Sequence, residues 1–170
     1  MVKKGYFNKS PNSNKKLIKL FEKVQKKRYV FDLKKQKNLI KKLYQEEVEI
    51  KDLVLKMLKK GELKTADDYF RAGHFFHHGS NYNDYALAVT LYSIGSVLGD
   101  DWCKNYMALA IDRFLLSISR PQLFVTQFEL KKDKWVISNY ENIIPDSLRK
   151  KFDISPLKET FKTVKKLNKP

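Results

Sequence analysis

TADDYFRAGHFFHHGSNYNDYALAVTLYSIGSVLGDDWCKNYMALAIDRFLLSISRPQLFVTQ, from Thr65 to Gln127, holds all three histidines and the only cysteine of the chain. Its punctuation predicts three helices. Thr65-Ala66-Asp67-Asp68 has the form of a capping box, a hydroxyl and a carboxylate placed to satisfy the first free amides of a helix running to about His78. Gly79-Ser80-Asn81 breaks it. A second helix is expected from Asp84 to Leu98, ended by Gly99, and a third from Trp102 to about Ser117, capped by Asp100 or Asp101 and stopped before Pro121. Connections this short make neighbours pack antiparallel. The small residues Ala86, Ala88, Gly95, Ala108 and Ala110 allow close approach of the axes.

On the N-terminal side, residues 1–11 read as a mobile basic arm. Residues 12–60 read as basic amphipathic helices. The first is capped by Asn12 or Ser13 and carries Leu17, Leu20, Phe21 and Val24 at helical spacing. Asp32 is a candidate cap for the next helix. From Lys34 to Lys60 the apolar spacing predicts one long helix, or two with a break near Glu47–Glu49. Gly61 stops it, at a position where positive φ is wanted. After Pro121 the periodicity changes. Leu123–Leu130 and Trp135–Tyr140 are β-prone runs separated by Lys131–Lys134, a candidate small hairpin spanning 121–141. A basic tail, 142–170, returns to turn and helix signals. The expectation is one domain over 12–170, mainly α, an antiparallel helical bundle of hairpins with one small C-terminal β-hairpin. A core of this size is within reach of 170 residues.

With 42% hydrophobic and 13% aromatic residues, the chain is not composed like a disordered one. The longest nearly unbroken apolar run, Ala86–Leu98, is too short and too polar to span a bilayer. MVKKGYFNKS lacks the apolar segment of a secretory signal. A lone Cys103 excludes an internal disulfide, and a reducing, cytoplasmic setting is the default expectation. The formal net charge is +16, unevenly spread. Residues 1–60 carry 19 Lys/Arg against 6 Asp/Glu, residues 61–130 carry 5 against 8, and residues 131–170 carry 11 against 5. The positive charge therefore lies in the flanks of a mildly acidic centre. It suits phosphate-rich or acidic partners by long-range attraction, although lysines on a solvated outer face need no partner.

Polar residues in the centre are candidates for chemistry. Asp67, Arg71, His74 and His78 fall on one helical face, and a face this polar is expected to meet water or line a cavity. His74 and His78 have the spacing of two zinc ligands, but no defined third ligand accompanies them, so no metal and no cofactor is assigned. Arg113 shares a face with Trp102, Tyr106 and Leu109. A guanidinium turned inward there needs a partner, for which Asp112, Asp67 and Asp68 are candidates, or else holds a carboxylate or phosphate. Gln122, Thr126 and Gln127 come next, where the chain turns back. Carboxamides both donate and accept, which suits a peptide-like or base-like group as well as loop backbone. Cys103 lies one turn inside a helix start, where a thiol pKa can be lowered, or where it simply packs.

The Ala/Tyr/Gly spacing from Ala86 to Ala110 is similar to that of tetratricopeptide or Sel1 helix pairs. From Gly61 to about Glu159 the chain also resembles a family of small, mainly bacterial helical proteins of unassigned activity, related to the domain of unknown function 6624. The resemblance rests on His77-His78-Gly79, Asp112-Arg113-Phe114-Leu115, Pro121-Gln122-Leu123-Phe124-Val125-Thr126-Gln127, and Arg149 ahead of Pro156-Leu157. The family pattern has Gln in place of His77 and Gly in place of Val125. The resemblance implies that His78, Asp112, Arg113, Gln122, Thr126 and Gln127 belong to one site, and it supplies no activity.

Two functions are expected. In the first, a polar pocket binds or acts on a small anionic or amide-containing ligand. His78 transfers protons, Asp112 orients Arg113 on the anion, and Gln122, Thr126, Gln127, Arg71 and Asp68 contribute binding. In the second, the basic flanks dock on nucleic acid or an acidic partner. Tyr6, Phe7, Tyr29 and Phe31 then stack among the lysines, and the polar cluster is structural.

Overall fold

The structure, a computed structural model, describes residues 11–30 and 37–169, and of residues 28–30 and 37–44 the backbone alone. The basic arm lies outside the described residues apart from Pro11, as do Asp32, Tyr6, Phe7, Phe31 and the side chain of Tyr29. In chain order the elements are α1 (Lys15–Val30), α2 (Lys37–Lys59), α3 (Ala66–His77), α4 (Tyr82–Val97), α5 (Asp101–Ser117), β1 (Phe128–Lys131), β2 (Lys134–Ile137), α6 (Asp146–Lys151) and α7 (Leu157–Leu167). The fold is mainly α with one small antiparallel hairpin near the C-terminus, as the spacing predicts. No described helix is long and apolar enough to cross a membrane.

Local chemistry sets the boundaries. The cap of α1 is Asn14 rather than Asn12 or Ser13: its Oδ1 accepts from the amides of Lys16 and Leu17, both at 3.0 Å. Ser13 instead bonds the Thr65 hydroxyl at 3.0 Å. Helix α2 runs unbroken through Glu47–Glu49 to Lys59, and Gly61, with φ of 66°, closes the turn after it. There the Glu62 amide donates to Met57 and the Gly61 amide to Leu58, the Schellman pattern. The capping box of α3 forms as read, with both reciprocal bonds of Thr65 and Asp68 present. Asn81 caps α4, which starts two residues before the predicted Asp84 because that side chain accepts from the Asp84 amide. Asp100 caps α5.

Short connections fold α4 back on α3 and α5 back on α4, and these two contacts are the most extensive among the described residues. Leu17, Phe21 and Val24 from α1, Ile50, Val54 and Met57 from α2, Phe70, Phe75 and Phe76 from α3, and Leu91 and Tyr92 from α4 make the main core with Cys103 and Ala110 of α5. Burying each large side chain contributes about 1.5–3 kcal/mol. A second, smaller core on another side of α5 joins Ala108 to Phe124 and Ile154. Helix α5 therefore divides the helical hairpins from the C-terminal third of the chain.

Helix α3 departs from expectation. At Arg71 and His74 its polar face does not meet water: both residues are buried, and Phe21 of α1 packs against them. The other face, with Ala72 and Phe76, is buried as well. A helix enclosed on all sides is the centre of a bundle, and its polar groups must be satisfied from within.

The hairpin also differs. Its strands are four residues each, beginning at Phe128 and ending at Ile137. The turn is only Lys132-Asp133, both with positive φ (49° and 61°), as a two-residue I′ connection requires. Leu123–Gln127, read as strand, is an irregular loop.

Candidate functional site

The loop takes its shape from one carboxylate. Asp112, fully buried on α5, accepts from the amides of Leu123 and Phe124 through Oδ1, both at 2.8 Å. Through Oδ2 it accepts from the Thr126 amide at 2.9 Å and the Thr126 hydroxyl at 2.8 Å. Burial pushes the Asp112 carboxyl above its ordinary pKa, against the opposite pull of these hydrogen bonds. Gln122 completes the ring. Its buried carboxamide donates to the carbonyls of Gln127 (3.0 Å) and Ser138 (2.9 Å) and accepts from the Gln127 amide (2.9 Å). The Gln127 side chain donates to the Thr126 hydroxyl at 2.8 Å. Asp112, Gln122, Thr126 and Gln127 thus form one hydrogen-bonded network, directed mostly at the loop's own backbone.

Arg149 closes the network from the far side. Only 1% exposed, it donates to the Phe124 carbonyl (2.7 Å), the Ser155 carbonyl (2.9 Å) and the Thr160 hydroxyl (3.2 Å). Burial lowers its pKa, with Asp146 and Asp112 acting the other way. Phe124 is therefore gripped at its amide by Asp112 and at its carbonyl by Arg149. The next residue, Val125, is buried with φ of 52°. A β-branched side chain rarely adopts that region, so the two grips hold a strained backbone.

The remaining candidates lie elsewhere. His78 is exposed, just past the end of α3, with its ring 4.7 Å from His74 and 5.2 Å from His77. Behind it, His74 and His77 are buried among Tyr92 and Tyr106, with centroid separations of 5.6–6.0 Å. Arg71 is held by Asp67, with Nε 2.9 Å from each carboxylate oxygen, and its guanidinium lies 5.0 Å from the Phe21 ring centroid. Asp68 is occupied with the starts of two helices. It accepts from the amides of Asn14 (2.7 Å), Lys64 (3.0 Å) and Thr65 (3.1 Å), which ties the start of α1 to the start of α3. The three acids proposed as partners for Arg113 are thus all engaged with other groups. Arg113 is half-buried, and its Nε has no hydrogen-bond partner among the described residues. No group of three or more His, Cys, Asp or Glu side chains is placed to hold a metal among the described residues.

Burial decides the cysteine. Desolvation, with the nearby charges of Asp100 and Asp67, pushes the Cys103 thiol up rather than down.

One surface was not singled out by sequence. Leu130 and Trp135 are cross-strand partners, so they share a face of the hairpin tip, and both are exposed. The Asn168 side chain accepts from the Trp135 amide (2.7 Å) and donates to its carbonyl (2.8 Å), fixing the end of α7 to β2. Phe161 of α7, against Tyr140, is exposed too. Lys165, Lys166 and Lys169 lie on the same helix end without a carboxylate at ion-pair distance among the described residues. The sequence signal for this surface was an amphipathic helix in a lysine-rich tail beside a tryptophan-bearing strand. Compared with known proteins, the chain matches no family model, no curated protein and no solved structure.

Proposed function

We propose that the protein is a binding module for single-stranded nucleic acid, using the basic surface of α7 and the hairpin, and that the Asp112–Gln122–Thr126 network serves the fold. One observation carries this reading. Trp135 and Phe161 remain 39% and 46% exposed, and Lys165, Lys166 and Lys169 near them have no carboxylate at ion-pair distance among the described residues, while the Gln122 carboxamide and the Asp112 carboxylate bond the loop backbone. Exposed rings offer bases a stacking platform worth about 1–3 kcal/mol per base, and lysines track the phosphates. Binding is expected to weaken steeply with salt as counterions are released.

The test is fluorescence anisotropy with a labelled single-stranded oligonucleotide at several salt concentrations. Trp135→Ala combined with Lys165→Ala and Lys166→Ala is expected to weaken binding at least about tenfold and to reduce the salt slope by about 1–2. Absence of binding at low salt, or binding indifferent to these substitutions, overturns the proposal.

A second reading keeps Arg113. Its half-buried guanidinium, with Nε unbonded among the described residues, supports capture of a small carboxylate or phosphate beside the braced loop. Calorimetric titration with small dicarboxylates and phosphate tests it. Heat of binding that disappears in Arg113→Ala supports it, and unchanged heat rejects it.

A further inference from the structure

A cleft of about 290 Å³ lies where the start of α5 meets the end of α6, lined by Asp101, Trp102, Lys104, Lys150, Lys151 and Asp153. We infer that it is a binding site for a nucleoside monophosphate. This inference rests on different residues from the surface proposed above and does not depend on that reading.

The walls of the cleft are fixed from within. Asn105 of α5 donates to the carbonyls of Asp153 (2.9 Å) and Phe152 (3.4 Å), so the turn after α6 is fastened to α5. Asp153 has φ of 53°, and the amides of Asp153 and Ile154 donate back to Lys150 and Arg149, which closes α6. Arg149, anchored in the interior by three hydrogen bonds, sets the position of the two lysines that come after it. The backbone that carries the lining residues of α6 is therefore fixed against α5.

The lining chooses among ligand classes. Five of the six side chains are charged, which excludes an apolar occupant. Three lysines beside two aspartates repel a bare cation. Lys104 is paired with Asp101 at 2.5 Å, whereas Lys150 and Lys151 have no carboxylate at ion-pair distance among the described residues. The lining thus brings together two lysines from consecutive residues of α6, the half-buried Trp102, which also packs against the main core, and Asp153. A phosphate alone would occupy a small part of a volume near the lower edge of ordinary ligand pockets, about 300 Å³. A phosphate joined through a sugar to an aromatic base uses all of it. The phosphate lies between Lys150 and Lys151, the base lies on Trp102, and Asp153 accepts from the sugar hydroxyls.

Such a unit could be a free mononucleotide or the phosphorylated end of a strand, and the experiment separates them. The chain has two tryptophans, so Trp135→Phe leaves Trp102 as the only indole and a reporter for this cleft. In that variant AMP is expected to quench the fluorescence saturably, with adenosine and inorganic phosphate each binding at least about tenfold more weakly. Lys150→Ala with Lys151→Ala is expected to lose about tenfold in AMP affinity with the melting temperature unchanged, because both side chains are exposed. A 5′-phosphorylated trinucleotide binding more tightly than AMP assigns the cleft to strand ends, and equal or weaker binding assigns it to the free nucleotide. No quenching by millimolar AMP, or quenching unaltered in the lysine variant, overturns the inference. The complementary variant Trp102→Phe reports only on Trp135, so failure here and failure of the surface reading are read separately.

Discussion

Asp112 satisfies four donors with two oxygens, while the Nε of Arg113, the next residue, has no partner that the structure describes. The two should therefore behave oppositely when removed. Asp112→Ala strands one buried and two part-buried amides and a hydroxyl and is expected to destabilise the fold by about 3–5 kcal/mol. Arg113→Ala should lie within about 1 kcal/mol of the parent. Urea denaturation of both measures the contrast, and equal effects would show that the loop does not hang on the carboxylate. Val125 gives a second test at this scale. At an ordinary position glycine is about 0.5–1 kcal/mol less stable than alanine. At φ of 52° the order should invert, with Val125→Gly more stable than Val125→Ala by about 1 kcal/mol, although both lose buried volume. The family resemblance implies one site made of His78, Asp112, Arg113, Gln122, Thr126 and Gln127, and hydrogen bonds join Asp112 to Thr126, Thr126 to Gln127 and Gln127 to Gln122. What sequence could not show is where their polar atoms point. A carboxamide bonding loop backbone and one aimed at a ligand have the same spelling, and only the distances from Gln122 to Gln127 and Ser138 tell them apart.

Among the helices, closeness of approach is set by residues without side chains to spare. A methyl group built at Gly95 would stand 2.4 Å from the Cys103 sulfur and 3.3 Å from the Ala66 carbonyl, so three helices meet there. Gly95→Ala is expected to cost about 2–3 kcal/mol in chemical denaturation, against about 1 kcal/mol for Gly61→Ala, where positive φ is the only obstacle. Cys103 adds a pH dependence to this contact. Its folded pKa lies above the ordinary 9.0, so the stability it contributes is complete below that value and is lost as rising pH ionises the unfolded thiol first. Stability of the parent should fall faster than that of Cys103→Ala between about pH 9 and 10, by about 1 kcal/mol over that unit. A parallel decline in the two proteins would mean that the thiol titrates normally in the fold. Helix existence and order were readable because capping residues act locally: Thr65, Asp100 and Gly61 do what their chemistry dictates wherever the helix sits. The enclosure of α3 was not readable, since Asp67–Arg71–His74 spells a wet face until Phe21, some fifty residues earlier in the chain, is laid across it. The strand assigned to Leu123–Gln127 failed for the same reason, because β-branched and apolar residues suit a pleat unless a distant carboxylate claims their amides.

The whole molecule carries a formal charge of +16, and its self-repulsion is a property no single contact reports. A folded chain of this length has a radius of gyration of about 15 Å. At about 0.01 M salt the screening length is about 30 Å, so every lysine feels every other, whereas at about 0.15 M it is about 8 Å and repulsion becomes local. Three of the described ion pairs, Lys104–Asp101, Lys131–Glu129 and Lys162–Glu159, do little to offset this, because they are exposed and of small individual value. Compaction concentrates the charge, and unfolding relieves it. The melting temperature should therefore rise by several degrees as sodium chloride is raised from about 0.01 to 0.3 M, the reverse of what a fold dependent on surface ion pairs would do. If the C-terminal surface binds single strands, a short oligonucleotide at micromolar concentration should produce a comparable rise in low salt and almost none in high salt. Calorimetric melts with salt and oligonucleotide varied independently resolve the two contributions. A melting temperature that falls with added salt would show that the lysines are held by carboxylates and are not repelling one another. The basic surface would then have no excess field with which to draw in a polyanion.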